Sequence, residues 1–320
     1  MVRMVLEAGS KQRPLVESPG CPLCDSSTAC TLFIARDRLL GRVGEFPMVR
    51  CAGCGLVFLR PRPSPAELGS FYPDTYYPLD QQPTREARAV AEGLLARITG
   101  WRREHQLQAP SLLDIGCCTG LFLHLAREAG LQVRGIELSE SAVAYARVNY
   151  RLDVHHGTLE STDLPDQSFD IVTMWHVLEH LPDPVAALRH VARALKPGGL
   201  LLLGVPNFDS IEARIFGRRW YSLDAPRHLY QFTPRTMATV LNAAGLLPRR
   251  IIHSPGTAGL VYSVMGDLTG VSLKLRRRPL SDPVYHRAAN VLHRVARPLC
   301  ASVARIGRGG ALEVYAIKPT

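Results

Sequence analysis

No run of eighteen or more apolar residues occurs in this 320-residue chain, so no segment reads as a membrane-spanning helix. The first thirty residues lack a basic stretch followed by an apolar one, which argues against a secretory leader. Together these absences predict a cytoplasmic protein. No internal repeat is visible, which argues against a solenoid. Acid is scarce near the end. Residues 271–310 carry nine Lys or Arg against Asp282 alone, a net +8 out of a formal +10 for the whole chain. The positive charge therefore belongs to one segment, not to the protein at large. Eight cysteines in a chain without a leader point to metal or free thiols rather than disulfides.

What is present is a sizeable apolar complement, 46% of residues, enough for a full α/β domain and something smaller. Residues 1–20 have no periodicity and read as a loose tail. Residues 61–83 are punctuated by Pro61, Pro63, Pro65, Pro73, Pro78 and Pro83, the composition of a linker. A helix is expected over 84–106. Strands are then expected near 111–115, 132–136, 152–156, 169–174 and 199–205. They alternate with helices near 120–129, 139–149, 184–195 and 234–244. That alternation predicts a mainly parallel sheet with helices on both faces. Residues 247–253 and 312–318 read as two further strands, with 256–310 inserted between them.

The densest signal is SLLDIGCCTGLFLHLAREAGLQVRGIELS at 111–139. An apolar strand enters a tight turn, Asp114-x-Gly116-x-Cys118-x-Gly120. A helix follows, and then a strand ending at Glu137. This is a nucleotide-binding βαβ unit, in which Glu137 lies where a carboxylate can take both ribose hydroxyls. These residues resemble the first motif of class I S-adenosylmethionine-dependent methyltransferases, with Cys118 in place of the middle glycine. FDIV at 169–172, WHVLEHLPDP at 175–184 and LKPGGLLLLGVPN at 195–207 continue the resemblance, which covers roughly residues 110–255. It implies a class I methyltransferase Rossmann-like α/β fold, mostly parallel with an antiparallel last strand. It also implies S-adenosylmethionine as cofactor. The binding residues would be Asp114, Gly116, Cys118, Gly120, Glu137, Leu138, Thr158, Leu159, Trp175 and His176.

Cys21-Pro-Leu-Cys24 and Cys51-Ala-Gly-Cys54-Gly55 form the second strong signal. Two such turns supply four thiolates for a tetrahedral structural zinc, which predicts a zinc ribbon over residues 21–60. Four thiolates leave no open position for catalysis. Cys30 is expected to be a small packed residue. A four-cysteine domain ahead of this core, with Phe71-Tyr72-Pro73 and Tyr76-Tyr77 after it, resembles a bacterial group that includes sugar C-methyltransferases. Those usually carry a further carboxy-terminal domain, and none is expected after the strand at 312–318.

Acceptor residues should come from loops at the carboxyl ends of the fourth and fifth strands. Glu179 and His180 read either as scaffold for their loop or, for His180, as a cofactor or substrate contact. A metal site on His176 and His180 is the weaker reading. Residues 220–232 resemble a lid segment of the same group. There His228 is either the general base or a pin for the lid. Arg227 would meet a substrate anion or Asp224. His228 and His180 are thus the candidate catalytic pair.

Residues 270–308 combine arginines with Leu292, Val295, Leu299 and Val303 at helical spacing, although Pro298 is expected to kink or break a helix. Such a segment can rest on the inner face of a membrane, form a dimer contact, or be an ordinary solvated helix. The functional expectation is a methyltransferase acting on a small or lipid-linked acceptor, such as a sugar of a surface glycan or a secondary metabolite. A ribosomal RNA methyltransferase and an inactive binding protein are the alternatives; the ribbon lacks the dense basic patch nucleic acid would favour.

Overall fold

The computed structural model describes residues 15–16, 20–72, 84–269 and 283–320. Nearly all of the expected tail, the linker beyond residue 72, and Lys274 with Arg276, Arg277 and Arg278 lie outside these residues.

The amino-terminal part contains β1 (Leu15–Val16), β2 (Ala29–Ala35), β3 (Phe46–Cys51), β4 (Val57–Leu59), β5 (Arg62–Pro63) and α1 (Pro65–Leu68). Ser64 caps α1 in a capping box with Glu67, and proline takes the first helical position. Strands β2, β3 and β4 form an antiparallel meander, in which Met48, Val57, Phe58 and Leu59 are nearly inaccessible, so β4 is covered on both faces.

The long helix α2 (Arg85–Glu104) leads into the main sheet. That sheet contains β6 (Ser111–Ile115), β7 (Gln132–Glu137), β8 (Val154–His156), β9 (Phe169–Trp175) and β10 (Leu195–Pro206). Between them lie α3 (Leu121–Glu128), α4 (Glu140–Tyr150) and α5 (Pro184–Ala194). Next come α6 (Ile211–Phe216), the two-residue strand β11 (Tyr230–Gln231), α7 (Pro234–Ala243) and β12 (Leu247–Ser254). Helices α8 (Thr257–Thr269) and α9 (Pro283–Arg305) follow, and β13 (Ala311–Ile317) closes the order.

The seven-stranded sheet runs β12-β13-β10-β9-β6-β7-β8. Strand β13 is antiparallel to both neighbours, and the strands from β10 to β8 are parallel. This is the class I methyltransferase arrangement that the resemblance implied. The parallel strands are apolar on both faces because helices cover both. Leu112, Leu113, Ile171, Val172 and Leu200 to Leu203 are fully or almost fully buried. Each such side chain contributes about 1.5–3 kcal/mol of transfer free energy. Helix α2 is tied to the sheet by Arg97, which holds buried Glu313 through two hydrogen bonds of 2.6 and 2.7 Å. Asp183 caps α5 and Thr233 caps α7, each with proline at the first helical position.

Two features depart from expectation. Helix α9 continues through Pro298 instead of ending there. Pro298 lies on the exposed side, so its missing amide leaves an orphan carbonyl that water can satisfy. The amino-terminal sheet is also not self-contained. Its order is β11-β4-β3-β2, so its outer strand is supplied from residues 230–231. Among the described residues, no helix is long and apolar enough to cross a membrane.

Candidate active site and metal centre

The turn after β6 sets the cofactor half of the site. Gly116 has φ +75° and meets Val177, whose Cγ2 would lie 2.4 Å from any added Cβ. No side chain can replace that hydrogen. Cys118 holds φ +50°, a left-handed conformation unusual for a residue with a side chain, at the position where the related motif has glycine. Its amide donates to Glu137 Oε2 at 2.9 Å, and the Ser139 amide donates to Oε1 at 2.8 Å. Burial, with the nearby Glu137 charge, pushes the Cys118 thiol up to about 11, so it stays protonated.

These residues face a cavity of about 1170 Å³. Gly116, Cys118, Glu137, Leu138, Thr158, Leu159, Trp175 and His176, all named as cofactor candidates from the sequence, line it. Two expected ligands do not. Asp114 is buried behind the turn, where it accepts a 2.6 Å hydrogen bond from the Thr173 hydroxyl. Burial raises its carboxyl to about 7, with Glu137 adding to the effect. Gly120 begins α3 and packs against Leu152 and Ala146. Both residues shape the turn from behind, because the chain bends away from the cavity at each of them.

The other half of the cavity is a cluster of ionisable side chains. Glu179 is buried and the Asp224 side chain nearly so, and His180 and His228 sit beside them with ring centroids 4.5 Å apart. His228 Nδ1 donates to the Ser222 carbonyl at 2.8 Å, which leaves Nε2 as the acceptor. That Nε2 lies 4.0 Å from both Glu179 Oε1 and Asp224 Oδ2. His180 Nδ1 donates to the Arg227 carbonyl at 3.1 Å and lies 2.8 Å from the Tyr72 hydroxyl. Burial and the adjacent His228 lower His180 to about 4. Burial alone would raise Glu179, but a hydrogen bond from His176 and the charges of His176, His228 and His180 bring it to about 2. Glu179 Oε2 has no hydrogen-bond partner among the described residues.

Arg227 does not face the cavity. Fully buried, it forms a triad with Asp37 and Asp224, at 2.7 and 2.5 Å to their nearest oxygens. The substrate-anion reading of Arg227 therefore gives way to a structural one. Sequence reading also missed Tyr72 as a cavity residue. The Phe71-Tyr72-Pro73 string was its only signal. Asp37 carried none, since its partner lies 190 positions away.

The second centre is at the amino-terminal end. The sulfurs of Cys21, Cys24, Cys51 and Cys54 lie within 4.8 Å of one another, with Cys21–Cys54 and Cys24–Cys51 each at 3.5 Å. Four thiolates at about 2.3 Å from one ion stand about 3.8 Å apart, so this set fits a tetrahedral ion. The Leu23 and Cys24 amides bond the Cys21 sulfur, and the Gly53 and Cys54 amides bond that of Cys51. Burial opposes ionisation of Cys51, yet the amides and the Cys24 thiol lower it to about 6. A Cβ on Gly53 would stand 3.2 Å from the Cys24 sulfur. Cys30 is not in this set, nor is it packed: it is exposed on β2, its thiol 3.7 Å from the Arg50 carbonyl.

Comparison with known proteins agrees with the fold. Residues 84–248 match the family described as methyltransferase domain, and the chain belongs to it. A ubiquinone biosynthesis O-methyltransferase of Aromatoleum aromaticum is 29% identical over 199 residues, covering 58% of this chain and 84% of the relative. A malonyl-(acyl-carrier protein) O-methyltransferase of Serratia marcescens is 32% identical over 187 residues, 56% of this chain and 71% of the relative. An S-adenosylmethionine-dependent methyltransferase of Mycolicibacterium smegmatis is 36% identical over 107 residues, where the chain spans 42% of that protein's length. Among solved structures, a methyltransferase-fold protein from Galdieria sulphuraria superposes with a TM-score of 0.52 at 18% identity. The match covers 76% of this chain and 90% of the other. The protein is an S-adenosylmethionine-dependent methyltransferase.

Proposed function

We propose that the chain methylates a hydroxyl or an acidic C–H of a small or lipid-linked acceptor, with His228 as the general base. The acceptor class includes a sugar of a surface glycan and a secondary metabolite. The observation that carries this reading is the setting of His228. Its Nδ1 is tied to Ser222, and its Nε2 lines the same cavity as Glu137 and Gly116.

The cofactor, when bound, supplies an electrophilic methyl group. Glu137 is suited to the ribose, because each of its oxygens accepts one backbone amide and keeps a lone pair. Leu138 and Leu159 give apolar walls for the base, and Thr158 stands beside them. At about 1170 Å³ the cavity exceeds the usual ~300–1,000 Å³ of a one-ligand pocket, so a second molecule has room. Transfer of the acceptor's proton to Nε2 creates an imidazolium with the Glu179 and Asp224 carboxylates each 4.0 Å away. The two carboxylates place negative charge where that cation forms. His180 and Tyr72 then position the acceptor. The relatives named for O-methylation support an oxygen acceptor.

The four cysteines hold one structural zinc in this reading. The reading is tested by labelled-methyl transfer to glycan intermediates and to prenylated phenols, followed by mass spectrometry. His228→Ala should lower turnover by roughly 10²–10⁴-fold and leave cofactor affinity unchanged. Full turnover in that variant removes His228 as base.

A further inference from the structure

Helix α9 has two apolar sides, and only one of them is used inside the molecule. The inner side, Ala289, Leu292, Ala296 and Cys300, is covered; the first three pack with Val261 and Met265 of α8. The outer side carries Val291, Val295 and Leu299, which are 58%, 69% and 60% exposed, and Ile306 just beyond at 73%. These are among the most exposed large apolar residues of the described chain. Val291, Val295 and Leu299 follow one another at i, i+4 and i+8, so they form one stripe along the helix. Arg287, Arg294 and Arg305 fall beside it by helical geometry, and Arg297 lies further round. All four are exposed. Residues 283–308 contain no aspartate or glutamate.

We infer that this side of α9 seats the protein on an anionic membrane surface, and that the acceptor is an amphiphile presented from that surface. Charge selects the occupant. A second copy of this chain would bring the same arginines against the stripe with no acid on the helix to meet them. Anionic lipid headgroups supply a carpet of negative charge at the height of the arginines while Val291, Val295 and Leu299 enter the acyl boundary.

The position of the helix extends the argument to the substrate. Helix α8, the partner of α9, begins with Ala258 and Gly259 on the cavity wall, and the segment after α9 puts Gly310 and Ala311 on the same wall. The seated helix therefore borders the acceptor half of the cavity. An acceptor with a lipid tail can stay in the bilayer while its head reaches His228. This second part rests on the methyltransferase reading above; the lipid contact does not.

The test uses the full chain, sedimented with phosphatidylcholine vesicles with and without about 30% phosphatidylglycerol. Binding should require the anionic lipid and should weaken as salt rises. Replacing Arg287, Arg294 and Arg305 with glutamine should lower partitioning on the order of 100-fold, the equivalent of about 3 kcal/mol. Val295→Gln with Leu299→Gln should also release the protein, with its melting temperature and cofactor affinity unchanged. Equal binding to neutral vesicles, or none to anionic ones, overturns the inference. So does a dimer in analytical ultracentrifugation that the Val295 and Leu299 changes dissociate in the absence of vesicle binding. If the vesicles bind but no cofactor does, the methyltransferase reading fails and the lipid contact stands. If soluble acceptors turn over as fast as vesicle-embedded ones, the substrate half alone is lost.

Discussion

Each oxygen of Glu137 already accepts one backbone amide, from Cys118 and from Ser139. The carboxylate therefore serves the turn as well as any ligand. Glu137→Ala should weaken S-adenosylmethionine binding by about 1–3 kcal/mol, as read by calorimetry; unchanged affinity would remove Glu137 from the ribose role. Asp114 presents the opposite case, a carboxyl that structure takes away from the ligand. Its folded value near 7 lies above the unfolded one, so the stability it contributes is full at low pH. That contribution is lost as pH rises through about 7, where the buried group must ionise. Asp114→Asn should then gain stability relative to the parent as pH rises from 4 to 8, measured by thermal melts along that series. A constant difference across the range would show that folding does not raise the Asp114 carboxyl above its unfolded value. The sequence marked Asp114 as part of the motif but could not say which way it faced. Facing depends on the β6 register and on the Thr173 hydroxyl 59 positions away.

Among elements, the two Cys-x-x-Cys knuckles were legible because each is local: two thiols on one turn. The strands of the main sheet were legible for the same reason, since unbroken apolar runs such as Leu200 to Leu203 report burial on both faces. Strand β11 was not legible. Two residues, Tyr230 and Gln231, carry no periodicity, and their partner β4 is distant in sequence. That pairing changes what metal loss should do. The protein should hold about one zinc with thiolate bonds near 2.3 Å, measurable by elemental analysis and X-ray absorption. Cys51→Ser should release it. Because β4 holds β11, and Leu59 donates to the Leu229 carbonyl while Leu229 donates to that of Glu179, the acceptor side should loosen too. Methyl transfer should fall more than cofactor affinity. Equal losses in both would point to general unfolding, and no loss in either would make the ribbon an independent module.

At the scale of the whole molecule, the cavity belongs to no single segment. Leu39 and Tyr72 come from the amino-terminal part, Gly116 to His180 from the sheet, Tyr221 to His228 from the segment before β11, and Gly256 to Ala311 from the end of the chain. The buried Asp37–Arg227–Asp224 triad joins two of these parts, and removing one member of such a set costs about 3–5 kcal/mol. The same long-range pairing has a consequence for how the protein is made. During synthesis β4 emerges about 170 residues ahead of β11, and β10 about 105 ahead of β13. At ~5–20 residues per second, the open edge of β4 waits roughly 10–30 s for its neighbour. An unpaired strand edge is a template for the wrong partner. The nascent amino-terminal sheet thus has all four cysteines long before it has its last strand, and under the zinc proposal early metal capture becomes the means of holding it meanwhile. Chains arrested on the ribosome before Tyr230 should keep residues 20–60 open to protease when zinc is withheld. Chains carried past Phe232 should protect them. Protection that is complete before residue 230 without metal would show that the ribbon finishes on its own.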